Sequence, residues 1–487
     1  MGLGYENREG FLRHFLKTSI LAALFCASAG QAQTSSSPMK GSSSLELPGR
    51  LLRQKPKRFS GSLTLTGTHY LTEKRTPSES ENYGFLSGEL RYKNKKGGFD
   101  WAADAVAEVS ADQAREAYYG VPELFARLTD DDSGVRVTVG RQKRSWSELD
   151  QKFHLGIWQP QLRWDYLNPI QQGLTGVFLD TDFQPLHVTL FASPVFIPDQ
   201  GPQFRMEDGR FVSENRWFWK PQTHLRLGEE SSNLFYEMNT PRVEDIVMNP
   251  SLGGMMRVDP EGPLALQLAY AYKPMNQFFI GYECSQCVDL ATLDGTARIH
   301  PMVVNHHVFT SEVSWTRTQD RFLFSWTVDR PNDPKIPQDW GGSDLRPVYI
   351  PGVSYERKGE ILYRPVRFGV GYFQEIKGSR IVTGELGGEV ESSADRYSFQ
   401  DLLGFSGQVN FYSSLLRSFD LSTRYAYSFK EDGGWLNVKL VYRVGSLETS
   451  FGFDLLGSRT DPLSANAGLF SRYRSNDRVY AGVGFVF

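Results

Sequence analysis

The sequence predicts an all-β fold: an antiparallel, up-and-down, membrane-spanning barrel of about 18 strands, with a range of about 16 to 20. Three observations carry this prediction. Apolar and polar residues alternate with a period of two from residue 59 to residue 487, not with a helical period. Short turns rich in Gly, Asp, Asn and Lys alternate with long connections. The mean hydropathy is −0.40, and beyond the N-terminal region no stretch supplies the roughly 20 consecutive apolar residues that a spanning helix needs.

Composition excludes other classes. Lys and Arg total 53 against 56 Asp and Glu, and this near-neutral balance does not fit a nucleic-acid binder, which carries a basic excess to replace counterions. Aromatics at 13% supply more apolar area than disordered chains do. A length of 487 residues on its own suggests two or three domains, but the unbroken period-two pattern points to one.

Taken in order, residues 1–32 read as a secretory signal peptide. Arg8, Arg13 and Lys17 precede the apolar run Ile20 to Ala27, followed by small residues up to Ala32. Cleavage after Ala32 is expected, with Ala29 the alternative. Residues 33–58, rich in Ser, Pro, Gly and Lys, read as a flexible tether. The barrel occupies 59–487.

Within it, Leu436, Val438, Leu440, Tyr442 and Val444 alternate with Asn437, Lys439, Val441 and Arg443, giving a strand with one apolar face. The same pattern recurs at 63–70, 99–108, 135–139, 186–190, 264–272, 322–329, 403–411, 421–429 and 449–455. Short turns fall at 94–98, 130–134, 259–263, 318–320 and 445–446, and long connections at 110–121, 145–173, 197–220, 274–303, 332–346 and 377–396. A membrane barrel gathers its long loops at one end, whereas a soluble sandwich has no reason to. Tyr70, Trp101, Trp315, Tyr372, Tyr427 and Tyr442 stand near strand ends, where interfacial girdles form.

In the final strand, Val479, Ala481, Val483, Phe485 and Phe487 share one face. Tyr480, Gly482, Phe485 and Phe487 resemble the C-terminal β-signal of bacterial outer-membrane barrels. That resemblance implies recognition by the barrel-assembly machinery and a place among the lipids of a Gram-negative outer membrane.

The polar face of the strands carries Glu89, Arg91, Asp104, Glu108, Arg136, Glu312, Asp329, Arg424, Lys439, Arg443 and Asp454. Charges in a membrane-spanning element face water or each other, so these belong to a lumen. They either create a transverse field, acids near 89–108 against bases near 424–443, or pair off. The segment Val139 to Asn168, with its Gly-Arg-Gln and its Trp-rich and Pro-rich continuation, is similar to porin-type barrels and more loosely to alginate-export barrels. The resemblance implies that loop 145–173 folds inward and narrows the pore; the alternative is a surface cap. Arg141, Lys143, Arg144 and Arg163 would then face a solute, with Asp150 and Asp165 as their partners.

Cys284 and Cys287, followed by His300 and His306, have zinc-finger spacing, but they lie between strands of an exported chain. A loop disulfide is the expectation; metal binding and free thiols are the alternatives. The histidines accompany no recognisable nucleophile motif. The sequence therefore reads as a porin-like channel for passive diffusion of small hydrophilic or charged solutes, without cofactor, metal or catalysis, as a monomer or trimer. A plugged barrel acting as anchor or adhesin is the alternative, and an outer-membrane hydrolase the more remote one.

Overall fold

A computed structural model describes residues 58–487 apart from 76–78, 112–115, 131–132, 228–229, 284–294, 338–339, 379, 383–388, 392–395, 414–416 and 465–466. The expected signal peptide, nearly all of the tether, and Cys284 and Cys287 lie outside the described residues.

Eighteen strands form one antiparallel sheet. In chain order they are β1 (Phe59–Tyr70), β2 (Asn82–Lys96), β3 (Phe99–Ser110), β4 (Ala117–Asp130), β5 (Val135–Gln142) and β6 (Leu174–Phe183). Next come β7 (Leu186–Ser193), β8 (Ser251–Val258), β9 (Leu264–Pro274), β10 (Asn305–Arg317), β11 (Asp320–Pro331) and β12 (Val348–Ile361). The ring is completed by β13 (Arg364–Gln374), β14 (Asp401–Ser413), β15 (Arg417–Ser428), β16 (Gly433–Val444), β17 (Leu447–Ser458) and β18 (Arg478–Val486). Each strand pairs with its successor, and β18 pairs with β1 from Ser62↔Val486 to Tyr70↔Arg478. The seam is extended by Gly61 N–H donating to Phe487 O at 3.1 Å and Phe487 N–H to Gly61 O at 3.0 Å. Closure leaves no edge, which lipid would penalise by several kcal/mol per unpaired backbone group.

Side-chain parity separates two environments. Leu63 and Leu65 on β1, Phe322, Phe324 and Trp326 on β11, and Val483 and Phe485 on β18 point outward and are exposed. Their neighbours Ser325 and Asp454 are fully buried. An apolar outside around a polar inside is the pattern of a barrel set in lipid. Aromatic pairs mark the rims, Tyr92 with Trp101 at 4.3 Å and Phe322 with Tyr355 at 4.6 Å near the short turns, and Tyr427 with Phe429 at 5.2 Å at the other end. Tyr70 does not join a rim. It turns inward, 6% exposed, under the Arg216 guanidinium at 4.5 Å.

All eight short turns lie at one end, and the nine connections from β1–β2 to β17–β18 at the other. The β3–β4 connection is shorter than expected, running only from 111 to 116, because Tyr118 and Tyr119 already belong to β4. The β7–β8 connection is longer, 194 to 250. It contributes Glu230–Met238 to a small five-stranded sheet beside Gly295–Met302 and Phe279–Glu283. Period-two alternation does not distinguish such loop strands from strands of the wall.

Candidate functional site

The connection from β5 to β6, residues 143–173, enters the barrel and crosses it. At its root Lys143 Nζ meets Asp104 of β3 at 3.0 Å. Arg144 donates to Asp180 of β6, with Nη2 to Oδ2 at 2.8 Å, and lies 4.5 Å over the Phe178 ring. A short helix, α1 (Glu148–Phe153), follows. Its cap residue Ser147 accepts from Asp150 N–H at 3.1 Å, while the Glu312 carboxylate of β10 accepts from Ser147 Oγ at 2.7 Å and Glu148 N–H at 2.9 Å. A carboxylate suits the free N–H groups and partial positive charge of a helix start.

The far side of the helix docks on β12. Lys152 Nζ lies 3.2 Å from Glu356, and Leu149 sits against Gly352, where an added methyl would lie 2.4 Å from the leucine. In an eighteen-strand ring β3 and β12 are diametrically opposite, so the loop bridges the full lumen. Its apolar side chains Trp146, Leu149, Phe153 and Trp158 join one buried cluster with wall residues Phe178, Val308, Ile350 and Phe373. Trp158 is anchored by Nε1 donating to Thr310 Oγ1 at 2.9 Å.

The loop then returns. Leu162 packs on Gly120 of β4, where a methyl would stand 2.4 Å from it. Trp164 stacks on Tyr118 at 5.0 Å, and Arg163 pairs with Asp199 at 3.2 Å. Asp165 pairs with Arg478 of β18 at 2.6 Å, and Arg478 in turn with Asp454 at 2.7 Å.

This geometry revises the roles expected of the loop residues. Arg144 and Arg163 have buried side chains closed into ion pairs, so they hold the loop instead of presenting charge to the lumen. Arg141 lies directly opposite the outward-facing Leu124, on the outer side of the wall. There it donates to Gln172 Oε1 at 2.7 Å and Val121 O at 2.9 Å. Asp150 partners no cation of the set. It accepts from Ile157 N–H and Trp158 N–H, both at 3.1 Å, and burial pushes its carboxyl up. Arg443 points inward near the short turns and donates to Glu448 at 3.1 Å.

Arg424 and Lys439 sit differently. Register places Lys439, Ser422, Gln408, Arg367 and Lys358 directly opposite one another in turn along β16, β15, β14, β13 and β12. Arg424 lies one row above, opposite Asn437. Lys358, Arg367, Arg424 and Lys439 make no ion pair with any described residue. Parity with outward Val353 and Phe368 marks Lys358 and Arg367 as inward, a signal in the sequence that the motifs around residues 139–168 do not carry. On the opposite wall Asp104 is taken up by Lys143, with Arg91 at 3.8 Å, and Arg91 also pairs with Glu89. The charges thus partly pair off around β2–β4, whereas Lys358, Arg367, Arg424 and Lys439 on β12–β16 carry no ion pair to a described residue.

Neither a family model nor a curated protein matches the chain. Among solved structures it is similar to Wzi of Escherichia coli, described as an outer-membrane, carbohydrate-binding β-barrel involved in group 1 capsule assembly. Identity is 10% and the TM-score 0.44, over 88% of this chain and 84% of that one. It is also similar to OccAB2 of Acinetobacter baumannii (11%, 0.44, 88% and 98%) and OprD of Pseudomonas aeruginosa (10%, 0.38, 88% and 94%). The closed ring of eighteen antiparallel strands decides the class. The chain is a closed, eighteen-stranded antiparallel β-barrel with an apolar outer face. What the barrel does has to be argued from its own residues.

Proposed function

We propose that the chain resides in the outer membrane as a channel for passive diffusion of small hydrophilic solutes, with a preference for anions. The observation that carries this reading is the run of unpaired cations, Lys358, Arg367 and Lys439 in one row with Arg424 above it. Four positive charges on five neighbouring strands, without an ion pair to any described residue, cost self-repulsion, whereas beside a water-filled path they attract and pass anions. Loop 143–173 is then the constriction, and the basic wall lies beside it.

A second reading has its own support. The cluster that joins Trp146, Trp158, Phe178, Ile350 and Phe470 packs loop to wall as a protein core does, which favours a plugged barrel serving as a surface anchor. Planar-bilayer recording separates the two. The channel reading expects discrete current steps with anion-selective reversal potentials, moved toward cation selectivity by Arg367→Glu with Lys439→Glu. A correctly folded barrel that passes no current supports the plug.

A further inference from the structure

A groove of about 460 Å³ runs over the outer face of the wall across β11, β12 and β13. Register builds it. In one row Val353 stands between the Phe324 and Tyr372 rings, and in the next row toward the short turns Tyr355 stands between Phe322 and Val370. The Phe322 and Tyr355 rings approach each other to 4.6 Å between centroids, and the two valines are too small to fill the space beside them. Phe322, Phe324 and Val353 are exposed, so the groove opens outward. On a barrel set in lipid, an apolar trough of this kind is covered by hydrocarbon.

The end of the groove nearest the short turns is charged. Two residues beyond Phe322 and Tyr355, a step of roughly 7 Å along the strands, register sets Arg317, Asp320 and Arg357 opposite one another on β10, β11 and β12. Both arginines are exposed. Asp320 is already engaged, accepting from the Tyr355 hydroxyl at 2.7 Å, and Arg357 stands 3.8 Å from it, long for an ion pair. Arg317 makes no ion pair with any described residue. Two strand spacings, roughly 10 Å, separate Arg317 from Arg357, a gap across which two long guanidinium side chains can converge on one phosphate. Arg364, exposed beside the β12–β13 turn, adds a third cation on the same side. A zwitterionic headgroup would bring an ammonium that only the engaged Asp320 could meet, so the excess of arginine favours an anionic one.

We propose that this face holds one anionic phospholipid, its phosphate at Arg317 and Arg357 and one acyl chain in the groove past Val370 and Val353. Basic side chains at the bilayer boundary select anionic headgroups, and the apolar trough fixes the chain beside them. The inference rests on the reading of the barrel as a resident of the outer membrane and is independent of what passes through its lumen.

Native mass spectrometry on the full chain folded in detergent, with phosphatidylglycerol or phosphatidylcholine of the same acyl chains, tests the proposal. One phosphatidylglycerol should be retained at concentrations at least tenfold below those that phosphatidylcholine needs. Arg317→Gln with Arg357→Gln should remove that difference. Val353→Trp, which fills the groove, should weaken retention of phosphatidylglycerol, whereas Val483→Trp on the outward face of β18 should leave it unchanged. Equal retention of the two lipids by the unaltered protein, a preference untouched by the arginine changes, or displacement by inorganic phosphate at equal concentration overturns the site. Folding into phosphatidylcholine vesicles, read by migration on unheated gels, keeps the two readings apart. A barrel that enters the bilayer without discriminating lipids loses only the site; one that discriminates lipids in detergent but enters no bilayer loses only its place in the membrane.

Discussion

The carboxylate of Asp165, carried into the lumen by the inward loop, meets the guanidinium of Arg478, on the strand that closes the ring, at 2.6 Å. The same guanidinium holds Asp454 at 2.7 Å, so one cation serves two acids. Breaking a buried pair by removing one partner costs about 3–5 kcal/mol because the other charge is left behind. Arg478→Ala strands both acids and should lower thermal stability in detergent by about that amount. Asp165→Asn leaves the Asp454 pair intact and should cost less than half as much. Equal losses in the two variants would show that the pair with the loop contributes nothing separate.

Two wall glycines make room for the loop. At Gly352 and Gly120 even a methyl would come within 2.4 Å of Leu149 and Leu162 respectively. Gly352→Val should therefore unseat α1 while leaving the strand ladder paired. The expected signs are a barrel that still migrates as folded on unheated gels, new protease cleavage within 143–173, and larger current steps. Protection from protease equal to that of the unaltered chain would contradict this docking.

At the long-loop end, Glu431 is fully buried and accepts from Ser471 N–H at 2.9 Å and Ser471 Oγ at 3.0 Å. Burial raises its carboxyl from 4.5 to about 7. An acid whose folded pKa is raised stays protonated in the folded state after the unfolded state has released its proton. The stability of this contact therefore falls as pH rises between 4.5 and 7 and levels off above. At about 1.4 kcal/mol per unit over these 2.5 units the fall is at most roughly 3.5 kcal/mol. Hydrogen exchange at the Ser471 amide should accelerate across that window, and Glu431→Gln should flatten the response.

The β12–β13 turn is built from Leu362 and Tyr363, both with positive φ, 50° and 61°, and both almost wholly exposed. Neither side chain suits the left-handed region, at about 1 kcal/mol per residue. Replacing the pair by Asn-Gly, the preferred residues for such a turn, should raise the unfolding midpoint in denaturant by the equivalent of about 1–2 kcal/mol.

Alternation in the sequence specifies which side of the strands it marks meets lipid, because a side-chain period of two admits only one assignment once Leu440 or Phe451 is placed outside. It also carried the strand number and the end at which the loops gather. Loop partners were not legible in the same way. Arg144 finds Asp180, and Arg163 finds Asp199, through an inward fold whose path depends on glycines at 120 and 352, far away in sequence. Register with Leu124, not the Gly-Arg-Gln motif, decides the side on which Arg141 lies. Parity marks Lys358 and Arg367 as inward, but only register sets them in one row with Lys439.

The seam between β1 and β18 differs from every other junction in the ring. Seventeen pairings join successive strands, whereas Ser62 must find Val486 across nearly the whole wall. The entropy of bringing ends together grows with the intervening length, and a contact so distant in sequence gives no return until the rest is in place. The hairpins can zip in any order, but the ring cannot. Until the Gly61 and Phe487 backbones meet, the chain is an open ribbon with two adhesive borders, and the time spent in that condition sets its exposure to joining the wrong neighbour.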